Sequence, residues 1–304
     1  MFAPPPIVRT SVFARLPDRL RKSQPTSEWH RFQPGALPAH SLLEGPSFDS
    51  EGRLYCVDIP WGRVFRIDAK GEFSLIAEYD GEPNGLKIHR DGRIFIADYR
   101  HGIMVLDPNS GTVVPYLTRV RLERLKAVND LTFASNGDLY FTDQGLTGWH
   151  DPTGRVFRVR ANGDIDCLLD NVPSPNGLVL DPGESVLYVA VTRANAIWRV
   201  PLMRDGTVAK VGTFIQLSGG GGPDGLAIDE AGNLVVAHIG LGVVWLFSAR
   251  GEPMLRIESC EGHHTTNMAF GAPDRRMLYI TESETGTILT APMPVAGRKM
   301  YSGV

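Results

Sequence analysis

The chain has 304 residues, of which 42% are hydrophobic and 21% are charged, values that are ordinary for a globular protein. A formal net charge of −3 excludes the strongly basic surface that nucleic-acid binding requires, so we expect no nucleic-acid partner. The three cysteines are widely spaced and odd in number, which argues against a disulfide framework or a zinc cluster and favours a reducing compartment.

The N-terminal residues differ in character from the remainder of the chain. Residues 1–26 are rich in proline and arginine and contain no repeat, so we predict an arm that lies on the surface. They lack the apolar core of a secretory signal, and the sequence contains no run near the ~20 apolar residues of a membrane span. These features predict a cytoplasmic protein without a membrane partner, with residues 27–304 forming a single domain.

One pattern then recurs six times: a polar residue, a short apolar strand, a turn that usually contains glycine, and a second apolar strand. We call the polar residue that opens each copy its lead residue. Successive lead residues lie 40–48 positions apart, a period that is typical of β-propellers when each repeat holds several strands. The six lead residues are Glu44, Asn84, Asn129, Asn176, Asp224 and Asn267.

The repeats predict an all-β fold, a six-bladed β-propeller with four-stranded antiparallel blades. We expect the ring to be closed by an N-terminal strand, residues 27–32, that joins the late strand 286–293 in the last blade, because closure leaves no open sheet edge. A closed ring is compatible with a monomer or a small homo-oligomer. Tight Gly-containing turns between strands are predicted at Gly52, Gly92, Gly137, Gly163 and Gly206.

A propeller places corresponding positions of its blades around one central channel, so the lead residues are expected to face one another there. Their carboxylate and amide oxygens suit a hard divalent cation, above all Ca²⁺, which tolerates an irregular shell. No lead residue is His or Cys, which disfavours zinc or copper. The structural alternative is that Asn and Asp cap local turns. That role explains neither Glu44 nor the prolines before Asn84, Asn176 and Asp224.

Four motifs, in this order, carry a resemblance to a known family. They are LLEGP at 42–46, VNDLTFASNGDLYFTD at 128–143, SPNGLVL at 174–180 and GPDGLAIDEAGNLVVA at 222–237. The sequence resembles the superfamily of senescence marker protein (regucalcin), gluconolactonase and luciferin-regenerating enzyme over most of its repeats. The resemblance implies a six-bladed propeller with one divalent metal ion in its channel. It also implies Glu44, Asn176 and Asp224 as metal ligands, with Asn129 as a further ligand or a substrate contact.

The resemblance further implies a metal-dependent hydrolase that opens a small-molecule lactone, such as a sugar lactone. Ca²⁺ is the expected ion, with Zn²⁺, Mg²⁺ or Mn²⁺ as alternatives. Asp224 would act as a base towards water or, alternatively, as a direct nucleophile on the carbonyl. The other functions that we consider are hydrolysis of an organophosphate or other phosphotriester and a non-catalytic or metal-free propeller.

Further substrate contacts are predicted from position in the repeats. Asn84 and Asn267 complete the ring of lead residues, and Asp130 is expected to orient Asn129 or to lie beneath the metal. Loops that follow second strands carry much of the specificity of such folds. The candidates in loops are Trp61, His101, Trp149 and His264.

Overall fold

The computed structural model describes residues 4–23, 27–33, 40–271 and 273–303. Six antiparallel sheets surround a central channel, which confirms the predicted six-bladed propeller. The innermost strand of every blade contacts the innermost strands of both neighbouring blades, so these six strands form the channel wall. In the described part of the chain, no helix has the length and apolar character needed to cross a membrane.

The four strands of each blade are numbered here from the channel outwards. The first strands are Leu43–Phe48, Pro83–Ile88, Val128–Phe133, Pro175–Leu180, Gly222–Ile228 and Thr265–Gly271. The second strands are Leu54–Asp58, Ile94–Asp98, Leu139–Asp143, Val186–Val191, Leu234–Ile239 and Met277–Glu282. The third strands are Arg63–Ile67, Gly102–Asp107, Gly154–Val159, Ala196–Pro201, Val243–Phe247 and Thr287–Pro292. The fourth strands are Phe73–Glu78, Thr112–Leu117, Ile165–Val172, Gly212–Gln216, Pro253–Glu258 and, in blade 6, Ser11–Arg15.

Apolar side chains pack between the blades. The buried hydrophobic residues form six clusters, one at each junction between neighbouring blades. The predicted turn glycines Gly52, Gly92, Gly137, Gly163 and Gly206 all have φ between +76° and +93°, a conformation that favours glycine. The blades are therefore built as the repeat predicts.

The ring is closed by an N-terminal strand in the last blade, as predicted, but by a different segment. Ser11–Arg15 pairs antiparallel with Thr287–Pro292. Val12 packs into the cluster between blades 5 and 6, and Ala14 into the cluster between blades 6 and 1. Ile7–Arg9 adds a parallel fifth strand to blade 5. Residues 1–26, predicted as a surface arm, therefore contain two strands of the propeller's sheets.

The prediction of a strand at residues 27–32 was wrong. Glu28–Arg31 is a single turn of α-helix, and Trp29 is buried in the cluster between blades 1 and 2. The edge that this segment was expected to occupy is already paired with Ser11–Arg15, so residues 27–33 pack over the blades instead. The other short elements are the 3-10 helices Asp18–Leu20, Ile59–Trp61 and Thr192–Ala194 and the hairpin Arg119–Val120 with Glu123–Arg124.

The C-terminal segment 294–303 crosses the end of the channel opposite the lead residues. Gly297 pairs with Asp229 of blade 5, and Tyr301 stacks on Phe133 of blade 3 with ring centroids 5.1 Å apart. The Ser302 hydroxyl donates to the carbonyl oxygen of Phe48 in blade 1 at 3.1 Å. A cavity of about 40 Å³ remains above this segment. The channel is therefore closed at this end, and a ligand must enter from the lead-residue end.

Blade 1 contains a buried ion pair. The Arg63 guanidinium donates to the Asp58 carboxylate at 2.9 Å, and both side chains are at most 2% exposed. Arg63→Met is expected to lower the free energy of unfolding by about 3–5 kcal/mol, because Asp58 would remain as an uncompensated buried charge. Urea denaturation measures this change. Arg93→Met is the control, since its pair with Asp91 is 51% and 41% exposed and should contribute at most about 1 kcal/mol.

Candidate metal centre and active site

All six lead residues lie near the beginning of a first strand, at one end of the channel, and all six are buried. Glycine follows the lead residue in four blades because neighbouring strands approach closely there. A Cβ atom on Gly177 would lie 2.5 Å from the carbonyl oxygen of Asp224, and one on Gly225 would lie 2.3 Å from Oδ1 of Asn267. Neighbouring blades therefore pack closely together at the level of the lead residues.

Carboxylates at the ends of second strands hold the loops that enter the first strands. In blades 1, 2 and 3 the backbone N–H two residues before the lead residue donates to such a carboxylate. Leu42 donates to Asp58 at 2.7 Å, and Glu82 donates to Asp98 at 3.0 Å. Ala127 donates to Asp143 at 3.0 Å. These repeated contacts explain how the sequence positions Glu44, Asn84 and Asn129 on a rigid frame.

Glu44 is oriented by Asn267 of the neighbouring blade. The Asn267 Nδ2 atom donates to Glu44 Oε2 at 2.9 Å and approaches Asp130 Oδ2 at 3.4 Å, while its Oδ1 accepts from the backbone N–H of Met268. Glu44 Oε2 also accepts from the backbone N–H of Gly45. Both the nitrogen and the oxygen of the Asn267 amide make hydrogen bonds within the protein. This lead residue therefore positions Glu44 and does not line the cavity.

Asp130 lies beneath the ring of lead residues. Lys87 Nζ approaches Asp130 Oδ1 at 3.8 Å, and the backbone N–H of Leu131 donates to the same oxygen at 2.8 Å. Burial raises the pKa of Asp130, and Lys87 opposes this shift. Asp130 takes the position that glycine occupies in four other blades, and its carboxylate adds negative charge below the site.

Glu44 and Asp224 face the cavity as two buried carboxylates. Burial, followed by repulsion from Asp224 and Asp130, raises the pKa of Glu44 well above its usual value. Burial and Asp130 raise the pKa of Asp224 to about 7, and a hydrogen bond with Asn176 opposes the shift. Among the described residues, neither carboxylate has an ion pair with Lys or Arg within 4.0 Å. A bound cation would relieve this repulsion, and oxygen ligands of this kind suit Ca²⁺.

Tyr99 and Gln144 orient the amide of Asn129. Neither residue was predicted from the sequence as part of the site. Asn129 Nδ2 donates to Tyr99 Oη and to Gln144 Oε1, both at 3.0 Å. Its Oδ1 is left without a hydrogen-bond donor among the described residues and can serve as a ligand.

In the part of the chain that the structure describes, no three His, Cys, Asp or Glu residues cluster to hold a metal ion. The donor set is instead two carboxylates and amide oxygens.

A cavity of about 840 Å³ opens above this site. Of the predicted site residues, six lie in its wall: Glu44, Asn84, Asn129, Asn176, Asp224 and His264. Trp149, 69% exposed, lines its rim. Residues that the sequence did not predict as part of the site include Trp29 and Phe32 of the N-terminal helical turn, which form an aromatic wall.

Besides Asn267 and Asp130, two further predicted contacts lie outside the described cavity wall. The His101 imidazole Nε2 lies 2.6 Å from the carbonyl oxygen of Asp80, and Trp61 packs near Lys22, whose Nζ lies 5.7 Å from the ring centroid. Neither residue lines the cavity among the residues that the structure describes. Arg193, which follows the second strand of blade 4, does line it and lowers the pKa of Asp224 electrostatically, against the larger effect of burial. No motif in the sequence distinguishes Arg193 from other surface arginines.

A family model and individual relatives of known sequence both match this chain. A family model described as the SMP-30/gluconolactonase/LRE-like region matches residues 42–284. Lactonase drp35 from Staphylococcus aureus (strain MRSA252) is 33% identical over 236 residues, which cover 73% of this chain and 72% of that protein. Lactonase drp35 from Staphylococcus epidermidis is 32% identical over 227 residues, covering 71% and 69%.

Solved structures share the architecture. A gluconolactonase from Xanthomonas campestris superposes with a TM-score of 0.74 at 24% identity, covering 84% of this chain and 86% of that one. A calcium-binding protein, regucalcin, from Agrobacterium tumefaciens superposes with a TM-score of 0.77 at 22% identity, covering 96% and 97%. At these identities the likeness shows the fold alone.

Proposed function

Because the chain belongs to the SMP-30/gluconolactonase/LRE-like family, we propose that it is a metal-dependent hydrolase that opens the ester bond of a lactone. The observation that carries this proposal is the pair of buried carboxylates, Glu44 and Asp224, at the base of an open cavity, neither of which forms an ion pair with Lys or Arg among the described residues. The relatives named lactonase support the reaction class.

The ligands that we propose are Glu44, Asn129, Asn176 and Asp224, which all lie in the cavity wall. Their chemistry fits a hard cation, with Ca²⁺ as the expected ion. When bound, such an ion polarises a carbonyl oxygen as a Lewis acid. The protein's own contribution is to hold two carboxylates and two amides in fixed positions before the substrate arrives.

Asp224 is the residue that we propose as general base. Its carboxylate accepts a proton from a water molecule whose oxygen attacks the carbonyl carbon of the lactone. The ring C–O bond then breaks, and the proton passes to the departing alkoxide, so the product is the open-chain hydroxy acid. Asn176 is a hydrogen-bond partner of Asp224 that favours its ionised form. This division of roles needs no group beyond those in the cavity wall and the bound cation.

The remaining cavity residues provide the surface for the substrate. Trp149 and Asn84 line it together with His264, whose Nδ1 is buried without a hydrogen-bond partner among the described residues. The His264 side chain is partly exposed in the cavity wall and can contact the substrate there. A cavity of about 840 Å³ is large enough for a small lactone with a substituent.

A lactone panel with and without metal tests the proposal. Aldonolactones, aliphatic lactones, aromatic lactones and one phosphotriester would be assayed after treatment with a chelator and after addition of Ca²⁺ or Zn²⁺. We expect turnover of at least one lactone, its loss by tenfold or more with the chelator, and its recovery with Ca²⁺. Turnover of the phosphotriester alone would favour the alternative hydrolase, and lactone turnover that survives complete metal removal would contradict the proposed metal dependence.

A further inference from the structure

Tyr99 lies at the centre of a hydrogen-bond network beside the candidate metal ligands. It directly follows Asp98, at the end of the second strand of blade 2, and lines the same cavity. Its hydroxyl accepts from Asn129 Nδ2 at 3.0 Å and interacts with the Asn84 amide. The same hydroxyl donates to Gln144 Oε1 at 2.5 Å. One phenol thus joins lead residues of two adjacent blades.

The two amides lie in matching orientations in this network. Gln144 Oε1 accepts from both Tyr99 and Asn129, while Gln144 Nε2 donates to the Ser174 hydroxyl at 2.9 Å. The Gln144 amide thus lies with its oxygen towards Asn129. Because a carbonyl oxygen cannot donate, Asn129 must present Nδ2 to Gln144 and to Tyr99. Its Oδ1 then points away from this pair and is the atom available to a cation.

The Tyr99 hydroxyl both donates and accepts in this network. It donates to Gln144 Oε1 and accepts from Asn129 Nδ2. Loss of the hydroxyl alone would therefore remove one of the two partners that hold the Asn129 amide.

We propose that Tyr99 is a positioning residue for the metal site, which holds the Asn129 amide with its oxygen towards the cation through the Tyr99–Gln144–Asn129 hydrogen bonds. It acts through Asn129 and not by contact with the metal. Partners of this kind commonly contribute about 10–100-fold to metal affinity. The inference rests on the proposed function, because it requires that a divalent cation binds at Asn129.

The test measures Ca²⁺ affinity by calorimetry in Tyr99→Phe, a substitution that removes only the hydroxyl. We expect the Kd for Ca²⁺ to rise about tenfold, with the melting temperature of the metal-free protein little changed. Tyr188→Phe is the matched control, because Tyr188 packs between blades 4 and 5 and, in the described part of the chain, does not line the cavity. Its Ca²⁺ affinity should equal that of the wild type.

A double-mutant cycle separates positioning from a general structural effect. In an Asn129→Ala background, Tyr99→Phe should change the Kd by less than about twofold, because the residue through which it acts is absent. Gln144→Met removes the acceptor that Tyr99 and Asn129 share, so it should weaken Ca²⁺ binding in the wild-type background. This variant replaces Tyr99→Phe in the test if Tyr99→Phe does not fold. Wild-type Ca²⁺ affinity in Tyr99→Phe or in Gln144→Met, or full additivity in the cycle, would contradict the role of Tyr99. None of these results would contradict the proposed metal site. Absence of Ca²⁺ binding by the wild type would overturn the proposed metal site together with the role of Tyr99.

Discussion

Asp224→Asn is expected to lower kcat for lactone hydrolysis about 10³-fold, while the propeller remains folded. The amide cannot accept a proton from water, and positioned general bases contribute about 10²–10⁴-fold to such reactions. A loss of about 10³ corresponds to about 4 kcal/mol of transition-state stabilisation. Steady-state kinetics on the best lactone of the panel, at saturating Ca²⁺, measure this change.

The stability of the same variant provides an independent check. Asp224 lies near two other buried carboxylates, Glu44 and Asp130, and burial and Asp130 raise its pKa in the metal-free protein. Removing its charge should therefore leave the melting temperature of the metal-free protein equal or higher. A large loss of stability would mean that the carboxylate has a structural role instead.

Asp181→Asn is the control for this substitution. Asp181 follows the first strand of blade 4 at the opposite end of the channel, where it accepts from the backbone N–H of Ser185 and caps a turn. It lies away from the described cavity wall, so the kcat of this variant should match the wild type. If Asp224→Asn also retained wild-type kcat, Asp224 would not be the base, and the catalytic group would have to be sought elsewhere in the cavity wall.

The sequence was sufficient to predict the propeller because its signals are local and repeated. Each blade contains the same alternation of apolar strand and turn. The turn glycines Gly52 and Gly92, for example, both have the positive φ that their places in the pattern require. The closing strand lacks this repetition. Ser11–Arg15 and the segment 27–32 are both short and mixed in character, and only the packing of Val12 and Ala14 between blades decides which of them pairs with the last blade.

The site was predictable only in part, for a similar reason. The lead positions are readable because they recur, but the sequence does not show that Asn267 uses both ends of its amide inside the protein, whereas Asn129 keeps its oxygen available. Tyr99 and Gln144 each follow an aspartate at the end of a second strand, in ADY and TDQ. That shared position was the available signal, and it becomes informative only when the structure shows that both side chains meet at Asn129.

Glu44→Gln is expected to weaken Ca²⁺ binding about 100-fold or more. Glu44 is the only proposed ligand besides Asp224 that carries a full negative charge, and the affinity of oxygen sites for Ca²⁺ depends strongly on the number of charged ligands. A loss of about 100-fold corresponds to about 2.7 kcal/mol. Asn267 can still donate a hydrogen bond to the amide oxygen of the introduced glutamine, so the change removes charge with little change in shape.

Two measurements together identify Glu44 as a ligand rather than a structural carboxylate. Calorimetry gives the Kd, and thermal unfolding with and without Ca²⁺ gives the linked stabilisation, which is about 2.7 kcal/mol in the wild type when Ca²⁺ is about 100 times its Kd. In Glu44→Gln this stabilisation should largely disappear, while the metal-free protein becomes no less stable because a buried like charge has been removed. Glu82→Gln is the control, since Glu82 precedes the lead residue of blade 2 and pairs with Arg100 outside the described cavity wall. Equal Ca²⁺ stabilisation in Glu44→Gln and Glu82→Gln would contradict the role of Glu44, because only one of these carboxylates faces the other buried charges of the channel.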